Sequence, residues 1–204
     1  VIWLYAVCEE PERPLPPVPG LGGAPVEGIA DGPLLAVASR HDGVPDDPAT
    51  DALWTHERVV ETIQTERAVL PMRFGTRRPE AGSVREALAQ RRGELLAGLD
   101  RVRGRVELAV RAIEPPDRAP DGRAYLARRR KAAAMHDRLS VLAVAACRRP
   151  ERAADELLRG SYLVERPALE TFNAAVEALQ REHPEASLVC TGPWPAYSFV
   201  EPLE

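Results

Sequence analysis

Aromatic residues are scarce in this chain: three Trp, four Tyr and three Phe among 204 residues, or 5%. Cysteine is scarcer still. Cys8, Cys147 and Cys190 are odd in number and widely spaced, which excludes a disulfide framework and the paired spacings of a zinc site. A reducing cytoplasm is the expected compartment. No apolar run approaches the roughly 20 residues that span a bilayer, so no lipid membrane is expected as a partner. Positive charge is not in excess either. Lys and Arg number 27 against 31 Asp and Glu, a net charge of −4, whereas a general nucleic-acid binder needs a basic face to neutralise phosphates. The opening Val1 to Cys8 is apolar but lacks the positive flank and cleavage site of a signal peptide, and reads as a buried strand. A start at Val and not Met suggests a trimmed chain. What remains, 45% hydrophobic and 28% charged residues, is ordinary for a soluble globular protein, and the length permits one large domain or two small ones.

Catalytic signatures are missing as well. There is no Gly-x-Ser-x-Gly elbow, no phosphate-binding Gly-x-x-x-x-Gly-Lys and no His-Glu-x-x-His. Gly20, Gly22 and Gly23 do not precede a helix, so they form no nucleotide fingerprint. His41, His56, His136 and His183 are scattered. No cofactor, no metal and no enzymatic activity are expected.

Along the chain, Ile2 to Val7 reads as a first strand and Pro11 to Pro33, crowded with Pro and Gly, as a long surface loop. Leu34 to Ser39 is a second strand that pairs with the first. Asp47-Pro48 is a helix opening, followed by Leu53, His56, Val59, Val60, Ile63 and Arg67 at helical spacing. His56 falls on or beside the apolar stripe, as a packed side chain with one hydrogen bond. Ala68 to Phe74 is extended, with Pro71 confining it to an edge or strand end. Alternation puts Arg73 on the face opposite Met72 and Phe74, for a salt bridge to Glu57 or Glu61 or for contact with a partner.

Ser83 and Glu86 fit a capping box for a helix running to about Leu99. Gly98 and Gly104 mark a boundary between domains of 1–101 and 102–204. Val106 to Ile113 is then a half-buried strand, and Asp121 to Arg148 the longest helix. That helix carries Arg128-Arg129-Arg130-Lys131, a solvated face or a contact for an acidic surface. Glu151 to Leu158 is open between helix and strand. Gly160 to Glu165 is a strand, Pro167 opens a helix through Phe172, Val176 and Leu179, and Ala186 to Cys190 is the last strand. This strand–helix–strand–strand–helix–strand order is that of a ferredoxin-like α+β sandwich, so the fold class is α+β in two small domains.

The rare aromatics concentrate at one place. Thr191-Gly192-Pro193-Trp194-Pro195-Ala196-Tyr197-Ser198-Phe199-Val200 carries three of them in six positions. Its prolines fix φ and remove donors, which predicts a stiff extended segment presenting Trp194, Tyr197 and Phe199. Such a segment is either a tie-down on the side of a domain or a recognition element, since Trp and Tyr anchor interfaces.

This tail and the string Val69-Leu70-Pro71-Met72-Arg73-Phe74-Gly75-Thr76 resemble the gas vesicle accessory family of GvpF and GvpL. Other pieces agree in order, among them Trp3-Leu4-Tyr5-Ala6-Val7, Leu34 to Ser39, Gly104-Arg105-Val106-Glu107, Gly122 to Leu126 and Ser161-Tyr162-Leu163-Val164. Ala196 stands where that family typically has a third proline. The resemblance implies two α+β domains, the second a modified ferredoxin fold. It also implies a non-catalytic role in assembling gas vesicles, the gas-filled protein shells of some prokaryotic cells. Partners would be the small shell protein GvpA and other accessory proteins, in the cytoplasm and at the vesicle. Arg73, Phe74, Trp194, Tyr197 and Phe199 are the expected partner-binding residues. A small-molecule-binding regulatory domain on the same scaffold is the alternative, with a pocket around His56 and Arg73.

Overall fold

The computed structural model describes residues 1–10, 14–43, 50–115, 122–201 and 203. The chain divides into two compact units, Val1–Arg103 with Pro195–Glu204, and Gly104–Trp194. The sequence reading assigned the tail to the second domain; residues from Pro195 onward instead group with the first unit.

In the first unit, β1 (Ile2–Glu9), β2 (Glu27–Asp31), β3 (Leu34–Arg40), β4 (Leu70–Pro71) and β5 (Arg77–Arg78) form an antiparallel sheet. Its order is β2-β3-β1-β4, with β5 also on β1. Pairing of β1 with β3 runs Ile2 to Arg40 through Glu9 to Leu34, as expected. The expected long loop does not hold throughout. Glu27 to Asp31 is a strand that hairpins onto β3 through Gly32, whose φ is 57°. Its residues include Gly28, where any Cβ would come within 2.6 Å of the Leu35 side chain, and Ile29 is its one β-branched residue, so the signature that reveals strands in sequence is weak. Nor is the loop wholly at the surface, since Val18 and Leu21 join the core.

The helix α1 (Thr50–Gln64) buries His56, Val59, Val60 and Ile63 against this sheet. The Asp47-Pro48 opening lies outside the described residues. Leu53, expected in the buried stripe, is exposed. Helices α2 (Ala81–Gln90) and α3 (Arg92–Val102) replace the single helix expected here, parted at Arg91. The capping box is not formed. The helix starts two residues before Ser83, whose hydroxyl donates to the Glu80 carbonyl at 2.7 Å.

In the second unit, β6 (Arg105–Ile113), α4 (Gly122–Ser140), β7 (Ala145–Arg148), β8 (Glu156–Glu165), α5 (Leu169–Glu182) and β9 (Ser187–Trp194) follow the expected ferredoxin-like sequence of elements. The sheet is antiparallel in the order β7-β8-β6-β9. Leu108, Val110 and Ala112 of β6 and Leu158, Tyr162 and Val164 of β8 share a core with Met135, Leu139, Phe172 and Val176 of the helices. The long helix ends at Ser140, earlier than expected. Its alanine-rich continuation is β7, which pairs Ala145 with Leu163 and Arg148 with Gly160. A free edge of β8 supplies backbone partners there, and this tertiary gain overrides local helix propensity. The open segment, 151–158, reaches β8 only at Glu156.

Candidate functional site

The string from Leu70 to Thr76 is built around one histidine. Leu70 and Pro71 pair with β1 at the sheet edge, where a missing N–H is tolerated. Met72 is buried, and its N–H donates to the Tyr5 carbonyl at 2.8 Å. A tight turn follows, in which Thr76 N–H donates to Arg73 O at 3.0 Å and Gly75 holds a φ of 91°. The turn lays Phe74 edge-on against Trp3 (centroids 5.1 Å apart) and His56 (5.7 Å).

Trp3 Nε1–H donates to His56 Nδ1 at 3.1 Å, so the ring proton sits on Nε2, which donates to Met72 O at 2.9 Å. Burial pushes the His56 pKa down to about 4, against a smaller upward pull from the Met72 carbonyl. The imidazole is therefore neutral, with both nitrogens satisfied, and it ties α1 to β1 and to the turn. Tyr5 continues the cluster. Its hydroxyl accepts from Leu21 N–H at 2.8 Å and lies 2.7 Å from Ser39 Oγ.

Arg73 points to solvent, and among the described residues it has no ion pair with Glu57, Glu61 or any other acid. Glu57 faces the tail instead. Pro195 and Ala196 are buried, and Tyr197–Phe199 make one helical turn, where an extended run was expected. The Tyr197 hydroxyl is buried beside Glu57 without reaching hydrogen-bond geometry. Loss of water chiefly, and the nearby Glu57 carboxylate, raise its pKa far above the phenol range. Burial likewise raises Glu57. Leu203 is buried and its carbonyl accepts from Arg78 at 3.1 Å. Tyr197 and Phe199 are half-buried on the first unit, so this part of the tail is a tie-down.

Trp194 belongs to the second unit. It ends β9, an edge strand with a bulge opposite Glu107 to Ala109. Gly192, at φ 118°, fits there because a Cβ would meet the Glu107 carbonyl at 2.7 Å. Trp194 is 39% exposed, with its Nε1–H on Thr191 Oγ1 at 3.3 Å. Of the five expected contact residues, Arg73 and Trp194 are thus presented to solvent, Phe74 is mainly a packing residue, and Tyr197 and Phe199 are intermediate.

The basic run on α4 is only partly solvated. Arg128 donates to the carbonyls of Glu114 (3.0 Å) and Ala154 (3.1 Å), and Lys131 pairs with Glu114 and Glu185. These side chains border a cleft of about 900 Å³, floored by Leu157 and Ala132 and walled by Tyr125, Arg148 and Glu151. No pocket was expected here; the sequence reading looked to His56, whose polar atoms are spent on packing. Trp54 was also missed, 60% exposed on α1. Its place two residues before the buried His56 was the available signal, since that offset turns a side chain about 200° around a helix.

The whole chain matches one family model, described as gas vesicle synthesis protein GvpL/GvpF, over residues 1–122 and 121–201. The chain belongs to this family. Gas vesicle protein F2 of Halobacterium salinarum is 28% identical over 208 residues, covering 98% of this chain and 92% of that protein. Gas vesicle protein L of a Streptomyces species (strain CB03234) is also 28% identical, over 246 residues, with coverages of 97% and 92%. The crystal structure of GvpF from Anabaena sp. PCC7120 superposes with a TM-score of 0.87 at 17% identity, covering 98% of this chain and 95% of that one. That likeness is one of fold.

Proposed function

We propose that this protein is a non-catalytic accessory factor of gas vesicle assembly, working in the cytoplasm and at the growing vesicle. It binds the small shell protein GvpA and other accessory proteins, and neither nucleic acid nor lipid. Assembled shells present apolar faces, and exposed apolar patches associate indiscriminately. A carrier that covers such a patch with preset aromatic anchors keeps monomers apart until they are placed. Trp194 is the principal anchor, with Tyr197, Phe199, Arg73 and Phe74 contributing; the two units act as domains joined at two crossings of the chain, 103/104 and 194/195.

The observation that carries this reading is Trp194 itself, a large aromatic left 39% exposed on a sheet edge in an aromatic-poor chain. The test is co-purification of co-expressed GvpA with wild type and with Trp194→Ala, beside a thermal melt of each form alone. Retention by wild type and loss from a still-folded variant is the expected result; no retention by folded wild type refutes it. The cleft beside α4 favours a second reading, a small-molecule-binding regulatory domain. A ligand-dependent rise in Tm that Leu157→Trp abolishes distinguishes it.

A further inference from the structure

The cleft beside α4 lies wholly within the second unit, and its walls combine short apolar side chains with fixed positive charge. Five of its lining residues are alanines, which is why a space opens between the helix and the start of β8. Its volume of about 900 Å³ falls within the roughly 300–1,000 Å³ of small-molecule sites. Leu157, Pro115 and Pro150 extend the apolar wall, and Tyr125 supplies the one aromatic ring among the lining residues.

Five cations and three carboxylates line this space, and the carboxylates are spent. Glu114 holds Lys131, and Glu151 holds Arg148 at 2.6 Å. Glu156 is buried and accepts from Arg111 Nε–H at 2.8 Å and from the Arg152 backbone N–H at 2.6 Å. Among the described residues, Arg128 and Arg129 have no carboxylate within 4 Å. Arg128 is half-buried and clamped, its two terminal nitrogens donating to Glu114 O at 3.0 Å and Ala154 O at 3.1 Å. A guanidinium carries five N–H donors, so three remain on a group whose direction is already set. Carbonyl oxygens orient that cation without cancelling its charge. Arg129 rests against the Tyr125 ring, 5.9 Å from its centroid, and reaches the Tyr125 hydroxyl at 3.5 Å, which holds a second guanidinium beside the first.

We propose that this cleft binds a small organic anion with a ring-bearing body, its carboxylate, sulfonate or phosphate group held by Arg128 and Arg129 and its rings laid over Leu157 and the alanines. The inference rests on the small-molecule reading of the cleft and narrows it to a chemical class. An inorganic anion gains the charge-assisted hydrogen bonds but leaves the apolar wall in water. An uncharged ring covers that wall but strips water from the guanidinium groups and gives them no acceptor, which costs affinity. A ligand with both parts takes both gains, and the preset donors keep the ordering cost low.

Titration of the full chain with anilinonaphthalene sulfonate, read by fluorescence and calorimetry, tests this. Phenylnaphthylamine serves as the uncharged ring system and inorganic phosphate as the anion without rings. The sulfonate occupies one site at least about tenfold more tightly than either control, and its affinity falls in high salt. Arg129→Glu and Ala127→Glu, both at exposed positions lining the cleft, each weaken it at least about tenfold. Arg130→Glu, on the same helix but outside the cleft, leaves it within about twofold. Arg128→Gln weakens it as well; if that variant loses its fold, the two exposed substitutions decide. Phenylnaphthylamine that binds as tightly as the sulfonate and is displaced by Ala127→Glu overturns the assigned class while the small-molecule reading stands. Sulfonate binding that Arg129→Glu and Ala127→Glu leave unchanged lies elsewhere on the chain and overturns the proposal. Binding of none of the three compounds overturns the proposal and the small-molecule reading together.

Discussion

His56 offers the sharpest test of how the first unit is held together. It is fully buried and neutral, accepting from Trp3 and donating to Met72. Its pKa falls from 6.5 to about 4, chiefly through burial. The sign follows from which state takes the proton first. Below pH 6.5 the unfolded chain is protonated at this position while the folded one is not, so stability declines as pH falls and stops declining from this source near pH 4. Above 6.5 the contribution is complete. The displacement corresponds to about 3 kcal/mol, a large part of the 5–15 kcal/mol typical of a domain.

Burial lowers His41 and His136 as well, and raised Glu57 acts in the opposite sense. Only a comparison isolates the one residue. His56→Gln keeps an amide donor for Met72 O but cannot titrate. Urea unfolding of both proteins, from pH 4 to 7.5, is read from Trp3 emission in a Trp54→Phe, Trp194→Phe background. The difference in stability between them shrinks by about 3 kcal/mol on going from the neutral to the acid end. Parallel profiles across this window would refute the account of His56 as a neutral tie.

Other outcomes follow from the packing. Gly20→Ala places a Cβ 2.6 Å from the Tyr5 hydroxyl and costs about 1–3 kcal/mol in urea unfolding. Tyr162→Phe removes the contact with His136 Nδ1 at 2.8 Å and costs about 1 kcal/mol. Phe74→Ala opens the cluster of Trp3 and His56 and costs about 2–4 kcal/mol. Trp194→Ala, on an exposed edge, stays within about 1 kcal/mol of wild type; a larger loss would make Trp194 a core residue.

The second unit was the more legible half because its signals are local. Phe172, Val176 and Leu179 recur at helical spacing, and Val106 to Ile113 alternates as a strand must. What escaped sequence reading depends on partners distant in the chain. β2 exists because β3 presents an edge and Leu35 covers Gly28. β7 is drawn from an alanine-rich stretch by the edge of β8. The tail was rightly read as unfit for a central strand, yet proline spacing carries no information about which surface Pro195 to Leu203 will meet. Arg73 was read as pairing with Glu57 or Glu61 or as contacting a partner; the turn at Gly75 leaves it in solvent, and Tyr197 takes the place beside Glu57. Trp54 went unnoticed because a search for buried stripes discounts the opposite side of the helix.

The return of residues 195–204 to the first unit makes the second unit a topological insertion. A ribosome finishes residues 104–194 before it supplies Ala196, Tyr197 and Leu203, so the earlier-made unit is the later one to be completed. Vectorial synthesis, which usually closes the N-terminal domain first, here leaves it waiting on its final segment. Until that segment arrives, the flank of α1 around Glu57 stays uncovered, and a nascent chain presents a different surface from a finished one.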